Sequence, residues 1–234
     1  MHPTDKAARI AGWWYLSIVV TAPFCLMYVP GKVIVSGNAT ATATNILAHE
    51  TLFRFGIVVA LLSSVLFICL VMALYRLLSG VNKAHASLMV VFVLVLCAVG
   101  FLNELNNIAA LILARGAPFL AVFDKSQLDA LAYLFIRLHG QGNIINQIFW
   151  GFWLLPFGML VMRSGFLPRI IGVLLIANCF AYLAIGLTTL LLPDYASIVS
   201  TIAFLPMAAG ELSIVLWLLI KGAKVPPSRV AATS

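Results

Sequence analysis

Apolar and polar positions alternate in long blocks along this chain. Six blocks are long enough to cross the hydrocarbon core of a bilayer, which takes about 20 apolar residues in a helix. They run from Ile10 to Val29, Phe55 to Tyr75, Ala86 to Ala114, Gly142 to Met162, Ile170 to Leu192 and Ser197 to Ile220. Backbone groups in lipid must find partners within their own segment, so each block predicts a helix. A spanning β-barrel would need alternating strands of about ten residues, and these blocks do not alternate. The predicted fold is all-α: a polytopic membrane domain over residues 1–222, with a polar, Pro-containing tail over 223–234 read as disordered.

Between the spans, most of the polar mass falls in two segments. Residues 31–54 contain Asn38-Ala39-Thr40-Ala41-Thr42-Ala43-Thr44-Asn45, read either as a loop or as the capped start of a helix. Residues 115–141 carry Ser126 and Asp129 at capping-box spacing. Leu128, Leu131, Phe135 and Leu138 follow at helical spacing. That predicts an amphipathic helix, with His139-Gly140-Gln141-Gly142 bending the chain into the fourth span.

Composition agrees with the pattern. The chain is 63% hydrophobic and 9% charged, a balance that no soluble domain could cover with polar surface. Charge sets orientation, because Lys and Arg collect on the cytoplasmic side. With the N-terminus inside, the inner segments hold nine Lys and Arg against one acid, Asp5. The outer segments hold five against four acids. Glu104 and Glu211, inside spans, complete the formal charge of +7. Both termini are therefore expected in the cytoplasm, and both larger polar segments outside. The basic balance is a topology signal; no soluble face clusters cations for nucleic acid. All four cysteines (Cys25, Cys69, Cys97, Cys179) lie within predicted spans and read as packing residues.

Ionisable residues inside spans are costly, so each needs a reason. Glu211 lies deep in the sixth span. It reads either as a proton-relay or substrate-contacting acid, or as a group that bonds a neighbouring helix. On the third span, Gly100, Asn103, Glu104 and Asn107 share one helical face. Asn143, Asn146 and Gln147 form a similar face on the fourth. Arg54 opens the second span on the same side, and His139 stands at the mouth of the fourth. Arg54, Glu104, Asn107, His139 and Gln147 are expected to converge on one outer-facing pocket, with Arg54 paired to Glu104. The competing reading is hydrogen bonding between helices. Histidine and cysteine spacings support no metal site, and no cofactor motif is present. Pro23, Pro156 and Pro206 interrupt three spans, as proline often does in membrane helices.

Four motifs occur in order: Leu52-Phe53-Arg54, Leu138-His139-Gly140, Arg163-Ser164-Gly165-Phe166-Leu167-Pro168-Arg169 with Gly172, and Gly210-Glu211-Leu212. In these, from Lys6-Ala7-Ala8-Arg9 to Lys221, the chain resembles a bacterial family of multi-pass membrane proteins classed only as a domain of unknown function, family 4386. The resemblance implies a bacterial inner-membrane protein and carries over no catalytic residues. The expected function is binding or transport of a small or lipid-like ligand from the outer side. The alternatives are an intramembrane enzyme with an outer-facing polar site, and a structural or regulatory membrane partner. Beyond the bilayer and such a ligand, no partner is implied, and oligomeric state is open.

Overall fold

The computed structural model describes residues 3–223; of the tail expected over 223–234, residues 224–234 lie outside them. Among the described residues there is no strand, and six helical stretches are long and apolar enough to cross a membrane. The first is α1 (Pro3–Pro23), continued by a π-helical turn (Phe24–Tyr28) and α2 (Val29–Val33). The π turn follows directly on Pro23, whose missing N–H removes one i→i−4 bond. Then come α3 (Ala39–Ala48), α4 (Glu50–Leu78) and α5 (Lys83–Arg115). The fourth stretch is α6 (Lys125–Phe152) with α7 (Leu154–Ser164). The last two are α8 (Arg169–Leu191) and α9 (Ala196–Leu216), which ends in a π turn (Trp217–Lys221).

Two expectations are corrected here. The bend at residues 139–142 does not occur; the amphipathic segment and the first half of the fourth span form one unbroken helix, α6. The break falls instead at Trp153, between α6 and α7. Pro156 supplies the reason: it has no N–H to offer Phe152, so the ladder loses one rung there. The cap of α6 also differs. Asp124 Oδ1 accepts from the Gln127 N–H at 2.9 Å, and Gln127 Oε1 accepts from the Asp124 N–H at 3.0 Å. This is a reciprocal box two residues earlier than Ser126 and Asp129. Those bonds, with one from the Ser126 hydroxyl, hold the exposed Asp124 carboxyl below its ordinary range. Asp129 is instead buried beside Lys125, one turn earlier on the same helix. The Ala/Thr stretch takes the helical option as α3, capped by Asn38 Oδ1 on the Ala41 N–H.

The described residues fall into two compact units. One comprises 18–65 and 98–143. Its core joins Val29 and Val33, Ala43 and Ile46, Phe53 and Ile57, Ala110 and Ala114, and Leu128, Ala132 and Ile136. The apolar stripe of α6 therefore runs through Ala132 and Ile136, with Leu131 and Phe135 partly covered and Leu138 left exposed. Gly37, at φ +75°, turns the chain between α2 and α3, and its N–H is received by the Tyr133 hydroxyl at 2.9 Å.

The other unit comprises 3–17, 66–97 and 144–223. Its helices approach closely through small residues. A Cβ on Gly151 would lie 2.9 Å from the Cys179 carbonyl oxygen, and one on Gly158 would lie 2.7 Å from that of Gly172. Gly151 and Gly158 stand two turns apart, as do Gly172, Cys179 and Gly186. The seam therefore keeps one face of α6 and α7 against one face of α8. Trp153, 2% exposed, stacks on Phe157 with centroids 5.4 Å apart and meets Phe67 edge-on at 5.1 Å. Arg9 on α1 donates to the Leu219 and Ile220 carbonyl oxygens at 2.9 and 3.3 Å. It thereby satisfies carbonyls that a helix C-terminus leaves open.

Gly158→Leu should destabilise the protein by about 1–3 kcal/mol, because the seam has no room for the added atoms. Nothing lies within 4 Å of a Cβ on Gly80, so Gly80→Ala should stay within about 0.5 kcal/mol. Chemical unfolding in detergent micelles checks both.

Candidate functional site

The polar face of the third span turns toward α6. Glu104 is 8% exposed, and both of its carboxylate oxygens are engaged. Oε1 lies 3.1 Å from His139 Nε2, and Oε2 accepts from Asn107 Nδ2 at 2.8 Å. Asn107 is one turn along α5, so the carboxylate is held from its own helix and from α6 at once. Whether His139 donates or accepts depends on its tautomer and charge.

One residue back, Asn103 joins the same two helices. Its Nδ2 donates to the His139 carbonyl at 2.9 Å and to Asn143 Oδ1 at 3.1 Å, while its Oδ1 accepts from Asn106 at 3.0 Å. Gly142 makes this possible, since a Cβ there would overlap the Asn103 amide. The glycine expected to bend the chain thus serves as the floor under an amide, within a straight helix. The Asn103 bond to the His139 backbone fixes the turn that carries the imidazole.

Of the five residues expected together, the structure brings together Glu104, Asn107 and His139. Arg54 is turned the other way. Its Nε donates to Glu50 Oε1 at 2.7 Å, and Arg115 stands 3.6 Å from Glu50 Oε2. Glu50 lies one turn before Arg54 on α4, within easy reach and near solvent. Both Glu104 oxygens are already engaged, by Asn107 and by His139, and the expected Arg54–Glu104 pair does not form. Gln147 belongs to the other unit, where its Oε1 is buried without a hydrogen-bond partner among the described residues. Asn146, next to it, donates to the Leu96 carbonyl at 3.1 Å.

Glu211 belongs to that second unit as well. It turns toward α8, where the Tyr182 hydroxyl donates to its Oε1 at 2.8 Å. Ile214 and Val215 beside it are fully buried, while Met207 and Ala208 are half-buried. Sequence reasoning missed Tyr182 and Asn178, neutral residues that carry no charge to draw notice inside an apolar run. The signal was their spacing, one turn apart on one face of the fifth span.

Chemically, a carboxylate hydrogen-bonded to an imidazole offers acid–base and hydrogen-bonding capacity, and no nucleophile of its own. Among the described residues, no group of three His, Cys, Asp or Glu side chains is placed to hold a metal ion.

Six apolar helical stretches, with charges at their ends and hydrogen-bonded polar groups inside, define an integral, multi-pass membrane protein. The chain belongs to the family described as Domain of unknown function (DUF4386), whose model matches residues 10–222. No curated protein and no solved structure matches it.

The pair at the centre of this site should be energetically coupled. In a double-mutant cycle of Glu104→Gln and His139→Phe, we expect an interaction energy of about 0.5–3 kcal/mol. Arg54→Gln combined with Glu104→Gln should be additive within about 0.5 kcal/mol. Denaturant midpoints of the purified variants give both values.

Proposed function

We propose that the protein binds, and moves between membrane and water, a small or lipid-like ligand that carries a polar head. The observation that carries this reading is the buried Glu104–His139 pair, supported by Asn107. Burying a carboxylate costs several kcal/mol unless it is compensated, and interhelical bonding alone is met more cheaply by amides. Asn103 shows the cheaper solution one residue away. The reading places the ligand's polar group against Glu104, Asn107 and His139, with its apolar part among the surrounding helices. It makes no use of Arg54, which is engaged by Glu50, or of Gln147.

A bacterial inner-membrane setting with both termini cytoplasmic is part of the same proposal. The excess of Lys and Arg in alternate connections supports it. Under that orientation α3 and the start of α6 lie on the outer side, and so does the entrance to the site. A second reading, a structural or regulatory membrane partner, draws on Asn103. Its amide is fully used between the two helices.

Native mass spectrometry of the protein released from membranes tests the proposal. Wild type should retain a small-molecule or lipid adduct. Glu104→Gln and His139→Gln, still folded, should lose it by about tenfold in occupancy, near 1.4 kcal/mol in affinity. Equal adducts in all three would favour the structural reading. Thiol labelling of intact cells tests the orientation, using Thr40→Cys, an exposed position on α3, and Ser228→Cys in a background without native cysteines. Label is expected at position 40 alone, and the opposite pattern would invert the topology.

A further inference from the structure

A second acid inside a span, half-buried, lies in the unit that the proposed ligand site does not use. Glu211 is met by a neutral side chain from another helix. Tyr182 on α8 donates its hydroxyl to Oε1 at 2.8 Å. Asn178, one turn earlier on α8, lies flush against Gly210, the residue before Glu211. A Cβ on Gly210 would sit 2.6 Å from the Asn178 Nδ2 and 2.9 Å from its Oδ1. Tyr15 on α1 is fully buried in the same unit. Side chains on a helix tilt toward its N-terminus, so the long Tyr182 side chain reaches back to the level of Asn178.

The hydrogen-bond inventory of this cluster is unbalanced in an informative way. Asn178 is fully buried, and its Nδ2 is spent on the Met207 carbonyl at 3.0 Å. Its Oδ1 has no partner among the described residues, and neither has the hydroxyl of Tyr15, which is 1% exposed. Buried polar atoms are nearly always paired; the Tyr15 hydroxyl carries its own hydrogen, so it is the Asn178 oxygen, packed on the residue before Glu211, that lacks a donor. A protonated carboxyl supplies it, having one O–H to donate to an orphan acceptor and one oxygen to receive from Tyr182. An ionised carboxyl keeps the Tyr182 hydroxyl as its donor. Among the described residues, no Lys, Arg or His forms an ion pair with Glu211. Trp150, which meets Tyr182 edge-on at 6.1 Å, is uncharged.

We propose that Glu211 is a reversible proton-binding site within the membrane, served by the Tyr182 hydroxyl in both of its charge states and by the Asn178 side-chain oxygen when protonated. Loading forms one O–H bond on the carboxylate and breaks one in hydronium, with no redox change. The titratable group facing it is Tyr182 from α8, with Tyr15 of α1 buried in the same unit. The proposal stands independently of the Glu104 site: it requires proton exchange at Glu211 whether or not a ligand binds in the other unit.

Infrared difference spectroscopy of the whole protein in lipid, stepped between acid and alkaline pH, tests it. Only three glutamates are present (Glu50, Glu104 and Glu211), so carboxyl-13C-glutamate confines the signal to them. Wild type should show the carbonyl band of a protonated, hydrogen-bonded acid that disappears at alkaline pH. Glu211→Gln should abolish that band. Tyr182→Phe should move it to higher frequency, as a lost hydrogen bond requires, and Glu104→Gln should leave it in place. The wild-type measurement keeps the proposal open to refutation even where a variant folds poorly. No labelled carbonyl band at any pH, or a band that survives Glu211→Gln, would overturn it. So would a titration displaced by sodium relative to choline at fixed pH, because the site would then take a metal cation in place of the proton.

Discussion

A carboxylate among hydrocarbon has no water to fall back on, and every polar group in a membrane span must be met by the protein itself. That constraint first makes the spans helical, since only a helix closes its own backbone bonds. It then decides which side chains face one another. Glu104 is met by His139 and Asn107, Asn103 by Asn143 and a backbone carbonyl, and Glu211 by Tyr182. In each case the partner stands on a neighbouring helix or one turn away. The polar residues therefore orient the helices that carry them, as an apolar core does in water.

Close approach is the second requirement, because a hydrogen bond needs its partners within about 3 Å. Glycine provides it at two kinds of place. Gly142 and Gly210 leave room for an amide side chain, that of Asn103 and of Asn178 respectively. Gly151, Gly158 and Gly172 let backbone meet backbone along α6, α7 and α8. Within each unit, dispersion contacts along such seams replace the hydrophobic drive that lipid withholds. The two kinds adjoin along α6, where Gly142 seats a polar group and Gly151 begins the seam.

Much of this was legible in the sequence for reasons that are physical. Spans are set by a length and an apolar composition, and both can be read residue by residue. The polar face of α5 was legible because its period is helical. Partner choice was harder to read. Arg54 was matched to Glu104 by depth alone, whereas its own helix offered Glu50 one turn away. Gly140 and Gly142 were read as a bend because glycine often turns chains, yet here Gly142 is selected by the amide packed on it. The true interruption at Trp153 was signalled by Pro156, four residues after the carbonyl it leaves free. Tyr182 and Asn178 escaped notice because neutral polar residues in an apolar run mark no site until a helix is placed opposite.

The account rests most heavily on the Glu104 carboxylate meeting the His139 imidazole inside the protein. Solid-state NMR in lipid bilayers can measure that contact directly, by dipolar recoupling between glutamate carboxyl 13C and histidine ring 15N. Among the described residues, Glu104–His139 is the Glu–His pair in contact, at 3.1 Å between Oε1 and Nε2. The account predicts strong dephasing of one glutamate carboxyl signal, lost in His139→Gln. A spectrum in which no glutamate carboxyl is dephased by a histidine nitrogen would contradict it.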